Sequence, residues 1–295
     1  MLAETLETYD EHRPYLFGIA YRMLGSVTDA EDVLQESFLR WHGADREAIE
    51  SPRAWLSTVV TRLCINHLKS ARVQREQYVG PWLPEPVVTD PSDAVRDNGQ
   101  LAESLSQAFL VLLESLRPTE RAVFLLREVF DYDFAEIAGI VGKSEANCRQ
   151  LLARARQHVA DRKPRFESSP LEAEGILNQF LAALDSGDVD SLLAVLSADV
   201  SVVTDGGGFT NASRRPIVGP DKVSRFLLGA NRKFGLGARA YRFTSINSQP
   251  GFIGSLDGQV VQVGVFEIVN RRIRTIRFIN NPAKLTHLRV EKGGN

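Results

Sequence analysis

Cysteine is scarce in this sequence: only Cys64 and Cys148 occur in 295 residues. Two thiols far apart build neither a disulfide framework nor a metal-ligand cluster. Both fall inside helical patterns, so they are expected as small core residues in a reducing compartment. Long apolar runs are also missing. The longest, Ala108 to Leu113, is six residues, against about 20 for a bilayer-spanning helix. Leu2 to Asp10 carries three acids and no apolar h-region, so it does not read as a signal peptide. A cytoplasmic protein without membrane contact is expected. Nor is there much net charge: the formal value is -2. With 43% apolar and 24% charged residues, a disordered or collagen-like chain is excluded. The length suits two or three domains.

The small net charge hides a segregated one. Residues 1–50 sum to -7, 51–80 to +4, 81–116 to -5, 117–165 to +3, 166–205 to -8 and 206–295 to +11. Alternating blocks of this size suit surfaces that meet different partners, or else solvated faces of one molecule.

Residues 1–78 read as helices. Thr28-Asp29-Ala30-Glu31 has the form of a capping box, and Val33, Leu34, Phe38 and Trp41 behind it share a face. Ser51-Pro52 is a second helix start, followed by Leu56, Val60, Leu63 and His67 at helical spacing. Residues 79–98 break the grammar. Pro81, Pro84, Pro86 and Pro91 each fix φ and remove a donor, which predicts an extended linker.

Helical patterning resumes at about Leu101 to Leu116, and Pro118 opens the next helix. Asp133-Phe134-Ala135-Glu136 caps a short helix, Gly142-Lys143-Ser144 makes a turn, and a second helix follows. There Cys148, Leu151, Leu152, Ala155 and Val159 form one face, while Asn147, Gln150 and Arg154 form another. After Pro164 the pattern changes to helices near 170–186, 188–197 and 220–234. Strand-like runs lie at Val200–Thr204, Ala240–Asn247, Val260–Val269 and Ile273–Asn280. These predict a separate α+β domain over about 170–288.

Two short helices joined by a glycine-containing turn, the second with amides and guanidiniums outward, suit a helix-turn-helix. Asn147 and Gln150 carry amides that can pair with adenine edges. Arg149, Arg154 and Arg156 can reach guanine or phosphate. Ser144 and the free N–H groups at the helix start can hold a phosphate. An ordinary helical hairpin has the same spacing.

Longer runs carry a resemblance. Leu116-Arg117-Pro118-Thr119-Glu120-Arg121 through Glu128, then Glu136-Ile137-Ala138, then Asn147 through Arg156, resemble domain 4 of extracytoplasmic-function sigma factors. Upstream, Asp29 through Phe38 is similar to their core-polymerase-binding segment. Pro52 through Leu56 and Asn66 through Lys69 are similar to the promoter-melting part of domain 2. The resemblance implies a multidomain chain: domain 2 at 1–78, a proline-rich linker at 79–100 and domain 4 at 101–165. It also implies two partners, RNA polymerase core enzyme and promoter DNA.

Asp29, Glu31, Asp32, Gln35 and Glu36 would face polymerase core, where charge complementarity favours rate and orientation. Arg53, Trp55, Thr58, Arg62, Asn66, Lys69 and Arg72 would meet the -10 element. Ser144, Asn147, Arg149, Gln150, Arg154 and Arg156 would meet the -35 element. Polymerase does the chemistry, so no catalytic residue, cofactor or metal is expected.

The continuation over 170–288 resembles a SnoaL-like α+β cone. Three signatures resemble the sigma-factor subfamily that carries this extension: Trp82-Leu83-Pro84-Glu85-Pro86, Asp205-Gly206-Gly207-Gly208 and Asn281-Pro282-Ala283-Lys284-Leu285. Phe209 stands where lysine is commoner and Ala283 where aspartate is usual, so charge-based contacts there are not carried over. The resemblance implies that the extension modulates sigma activity in cis, through contacts among the glycine loop, the Asn281–Leu285 segment and the sigma core.

Alternatives remain open at this point. The extension's pocket could hold an unknown small ligand as a sensor, or retain isomerase or cyclase chemistry on Asp205 or His287. Asp205 beside three glycines also reads as a turn cap. The whole chain could instead be a conventional helix-turn-helix regulator that binds its operator as a dimer.

Overall fold

The computed structural model describes residues 2–76, 78–89, 103–160, 170–234 and 239–289. The chain divides into two compact units. One is Met1–Gln77 with Ala108–Lys163; the other is Tyr78–Gln107 with Pro164–Asn295.

The first unit is helical. It holds α1 (Leu2–Leu24), α2 (Val27–His42) and α3 (Pro52–Glu76). After the excursion into the second unit come α4 (Gln107–Leu113), α5 (Pro118–Glu128), α6 (Phe134–Val141) and α7 (Glu145–Ala160). Helix α1 buries Leu16, Ile19, Ala20 and Met23, α2 buries Val33, Leu34 and Trp41, and α3 buries Leu56, Val60, Cys64 and Leu68. These spacings put one stripe of each helix inward, each large side chain contributing about 1.5–3 kcal/mol.

The N-cap of α2 is Ser26, whose Oγ accepts from the Asp29 amide at 3.1 Å. The sequence places that cap at Thr28. Both hydroxyls precede the same apolar face, and the earlier one wins because Gly25, at φ +67°, ends α1 just before it. Helix α4 is also shorter than its pattern. Its ends are three-residue turns, from Ser106 N to Glu103 O and from Ser115 N to Leu112 O. Residues 101–102 lie outside the described residues.

The helix-turn-helix forms as its capping chemistry dictates. Asp133 accepts the Glu136 amide and Glu136 accepts the Asp133 amide, both at 2.8 Å. Gly142 closes α6 at φ +65°, a conformation that favours glycine. Ser144 Oγ then accepts the Asn147 amide at 3.3 Å. Cys148, Leu152, Ala155 and Val159 are buried. Helix α3 packs on α5 and α6, so the two halves of this unit share an interface.

The second unit is α+β. It contains α8 (Pro170–Ser186), α9 (Val189–Val195) and α10 (Pro220–Phe234). Its strands are β1 (Val88–Thr89), β2 (Leu196–Asp205), β3 (Ile217–Val218), β4 (Ala240–Ile246), β5 (Gln249–Leu256), β6 (Gln259–Val269) and β7 (Arg272–Ile279). The sheet order is β1-β4-β5-β6-β7-β2-β3, antiparallel except for the parallel pair β2–β7. Its core gathers Phe180, Phe252, Phe266 and Phe278 with the apolar faces of α8, α9 and α10.

Strand β5 is absent from the sequence reading, because Pro250, Gly251 and Gly254 interrupt its alternation. A two-residue turn with Asn247 and Ser248 at φ +53° and +57° forms the β4–β5 hairpin, giving β5 its register against β4.

Of the proline-rich segment, Pro91 lies outside the described residues, and the described part, residues 78–89, is a docked strap. Its β1 adds to the free edge of β4, pairing Val88 with Ile246. Asn247 Oδ1 accepts the Val87 amide at 3.1 Å and Gln107 Nε2 at 3.1 Å, while Gln107 Nε2 also reaches Pro84 O. The His287 ring meets Pro86 O at 2.7 Å. Proline-rich backbone offers few donors, so its carbonyls are satisfied from outside the segment.

Candidate nucleic-acid interface and the strap clasp

Helix α2 turns its acidic side outward. Asp32, Gln35 and Glu36 are exposed, and Glu36 pairs with Arg40 at 3.0 Å one helical turn on. Glu31 pairs with Arg13, and Asp29 lies 3.3 Å from His67. Ion pairs this exposed contribute little stability and are easily exchanged.

Helix α3 carries the residues expected at the -10 element. Arg53, Arg62, Asn66 and Lys69 are exposed. Trp55 is half-buried, with its ring centroid 5.6 Å from that of Trp41. Thr58 Oγ1 donates back to Ala54 O at 2.9 Å. The Arg72 side chain lies outside the described residues.

Two of these arginines already have partners. Arg62 donates Nε to Ile140 O and Nη2 to Gly139 O, both at 2.8 Å. Those are orphan carbonyls at the C-terminal end of α6, where a cation also meets the negative pole of the helix. Arg53 lies over the Tyr15 ring at 4.1 Å. The Tyr132 hydroxyl donates to Ser57 Oγ at 2.8 Å and accepts from Tyr15 at 3.1 Å. Arg121 donates to Met23 O at 2.6 Å. The helix expected to open DNA is thus hydrogen-bonded to the helix-turn-helix expected to read the other element.

Ser144, just before α7, and Asn147, Gln150 and Arg154 on it are exposed. Arg149 is tied to Glu145 at 2.7 Å and lies over Phe134, and Arg156 is tied to Glu128 at 2.7 Å. Asn147 and Arg154 line a concavity of about 400 Å³ together with Arg117, Thr119 and Lys143. Arg117 and Lys143 are missing from the sequence-based site. Only tertiary packing sets the start of α5 beside α7, and no spacing along the chain signals it.

The three subsidiary signatures converge within the second unit. Asp205, at the end of β2, is fully buried. Its Oδ2 accepts the Leu83 amide at 2.8 Å and Lys284 Nζ at 2.7 Å, and its Oδ1 accepts Tyr78 Oη at 2.5 Å and the Gly207 amide at 3.1 Å. Lys284 also donates to Leu83 O at 2.5 Å and sits 4.2 Å from the Trp82 ring centroid. A buried charge pair of this kind holds only when its remaining donors and acceptors are filled.

Asn281 donates to Tyr78 Oη at 2.8 Å and accepts the Ala283 amide at 3.1 Å, opening the turn Pro282–Lys284 against which Leu285 is buried. A Cβ on Gly207 would lie 2.3 Å from Asn281 Nδ2, at φ +58°. Gly206 is also enclosed, whereas Gly208 meets Val79 at an ordinary distance. Pro84 and Glu85 are buried in the strap. Burial, and then the hydrogen bond to Asp205, push the Tyr78 phenol well above its ordinary pKa. Asp205 therefore caps its turn and anchors the strap as well; the sequence supplies the cap and, through its motif, the lysine, but not the tyrosine.

Together these units define a bipartite promoter-recognition subunit with an α+β extension. Residues 8–73 match the Sigma-70 region 2 family and residues 106–159 the Sigma-70, region 4 family. The ECF RNA polymerase sigma factor SigJ of Mycobacterium tuberculosis is 37% identical over 292 residues, spanning 94% of this chain and 92% of its own. The probable ECF RNA polymerase sigma factor SigI of the same organism is 32% identical over 288 residues, spanning 96% and 95%. The crystal structure of SigJ matches with a TM-score of 0.75 at 35% identity, covering 95% of this chain and 98% of that one.

The chain belongs to the extracytoplasmic-function RNA polymerase sigma factors. As a sigma factor it is a transcription-initiation factor, and its C-terminal part is a seven-stranded sheet packed on helices. The dimeric-regulator reading is set aside by this membership. No described helix is long and apolar enough to cross a membrane.

Proposed function

We propose that this sigma factor acts with polymerase in the cytoplasm, with α3 on the -10 element and α7 on the -35 element. Arg62, Asn66 and Lys69 meet DNA from α3, with Arg72 in the same run. Asn147, Gln150 and Arg154 meet it from α7, with Arg117 and Lys143 adding phosphate contacts. Asp32, Gln35 and Glu36 meet core enzyme. The guanidinium of Arg62 cannot cap α6 and hold a promoter phosphate at once. The arrangement in which α3 binds α6 is therefore the resting one, and promoter engagement opens it.

We further propose that the C-terminal domain modulates this step in cis and has no catalytic role. Asp205, the candidate acid, is saturated by the strap and Lys284, and the His287 ring is engaged by Pro86. The observation that carries cis control is the clasp itself. The chain between α3 and α4 is held by Asp205, Lys284 and Asn281 of the extension, so the extension sets how much of that tether is free.

The test is run-off transcription by polymerase core with the full chain and two variants that damage the clasp by unrelated chemistry. Lys284→Met removes the cation, and Gly207→Ala inserts a Cβ onto Asn281. Both are expected to change promoter-specific output in the same direction by about fivefold or more, the scale of a 1 kcal/mol coupling. Unchanged output from both, with the helical unit still melting cooperatively, would remove cis control.

A further inference from the structure

The second unit has a cavity of about 280 Å³ away from the clasp, lined by Leu181, Leu184, Asp185, Asn231, Arg239 and Tyr241, with Ala182 at its exposed rim. Its floor is apolar: Leu184 is buried, and the Tyr241 ring stands edge-on to Phe252 at 5.0 Å. Asn231 is fixed there by its hydrogen bond to Leu184 O.

The cavity's cation is half-buried Arg239, which donates Nη1 to Gln262 Oε1 at 3.0 Å. Gln262 is oriented in turn by Asn280 at 2.9 Å. Arg239 is thus positioned by a neutral amide, with the Tyr241 hydroxyl also interacting with its side chain, and among the described residues it has no ion pair. Its Nε is buried without a hydrogen-bond partner. A partly buried guanidinium under-bonded in this way lacks a compensating anion. Asp185 lines the cavity from an exposed position, without pairing to Arg239 among the described residues.

We propose that this cavity is a binding site for a small apolar monocarboxylic acid, its carboxylate on Arg239 and its hydrocarbon body against Leu181, Leu184 and the Tyr241 ring. One guanidinium matches one planar monoanion, and a carboxylate is the anion whose geometry fits its fork. The volume lies below the roughly 300–1,000 Å³ typical of sites for drug-sized molecules, so the acid is of benzoate or octanoate size. The site is separate from the residues of the clasp, and binding does not depend on the cis-regulatory reading.

The experiment is calorimetric titration of the full chain with sodium benzoate and sodium octanoate, beside benzamide, octanamide and inorganic phosphate. At least one acid is expected to bind about tenfold or more tighter than its amide, the scale of one charge-assisted hydrogen bond, and tighter than phosphate. Arg239→Gln should erase the preference for acid over amide, and Arg239→Lys should retain part of it. Ala182→Trp, at the exposed rim, should block acid and amide alike while leaving Arg239 in place, and it decides the matter if Arg239→Gln fails to fold. Equal binding of acid and amide, no binding of either acid, or phosphate binding as tightly as the acids would each overturn the proposal. So would acid binding that Ala182→Trp leaves unchanged. Transcription is a separate readout: acid binding with unaltered output would leave this site standing, and cis control is judged by the clasp variants alone.

Discussion

Tyr78 shows how much one side chain can tie together. It donates to Asp205, accepts from Asn281, and its ring lies 5.0 Å from Lys284 Nζ. Its phenol titrates above the ordinary value, chiefly because it is buried and then because Asp205 accepts its proton. A group whose folded pKa is raised lends stability that is fully present below its unfolded pKa, near 10, and lost as pH rises through the folded value. Tyr78→Phe should therefore cost about 1–2 kcal/mol at pH 8, through two lost hydrogen bonds. It should also remove part of the fall in melting temperature between pH 9 and 11. Tyr15 and Tyr241 shift in the same direction and remain in the variant, so the difference between the two pH curves is the quantity to read. Parallel curves would mean that Tyr78 does not titrate in the clasp. Sequence reasoning reached Asp205 and Lys284 through their motifs. Tyr78 was out of reach because it lies 127 residues from Asp205 along the chain and 203 from Asn281.

At the scale of elements, helix starts were legible where a cap and an apolar stripe agreed. Asp133 with Glu136, Ser144, and Pro118 at the first helical position all sit where their chemistry demands. The helix-turn-helix was readable for that reason. The element-to-element bonds were not, because a surface arginine on a helix looks the same whether it awaits a phosphate or caps a neighbour. Arg62 is the case in point: its two bonds go to the α6 carbonyls. Arg62→Ala should loosen α3 from α6 at a cost of about 1 kcal/mol, discounted for its exposure. Spin labels at exposed Lys69 on α3 and Lys143 beyond α6 should then report a broader distance distribution in the free protein. If the distribution stays as narrow as the parent's, apolar packing around Tyr132 holds the pair and Arg62 is dispensable to it.

At the scale of the whole molecule, the chain order is the informative feature. Residues 78–107 leave the helical unit, join the sheet of the other unit through β1, and return. The sequence reads this stretch as a linker because proline-rich runs supply no periodic face, and its capture depends on donors and acceptors supplied by residues 205, 247, 281, 284 and 287. Fully extended, 30 residues span at most about 100 Å; docking of residues 78–89 removes their share of that reach. Seating regions 2 and 4 on two promoter elements calls for slack, so engagement with polymerase core should weaken the docking. The Leu83 amide reports this directly, since its acceptor is the buried Asp205 carboxylate. In the free full chain, hydrogen exchange at Leu83 and Val87 should be slow, and core enzyme with promoter DNA should accelerate it by about tenfold or more, while amides of β6 keep their protection. Equal protection in the free and bound states would show that the strap stays docked throughout initiation, and that any regulation by the extension works without paying out chain between the two promoter-reading helices.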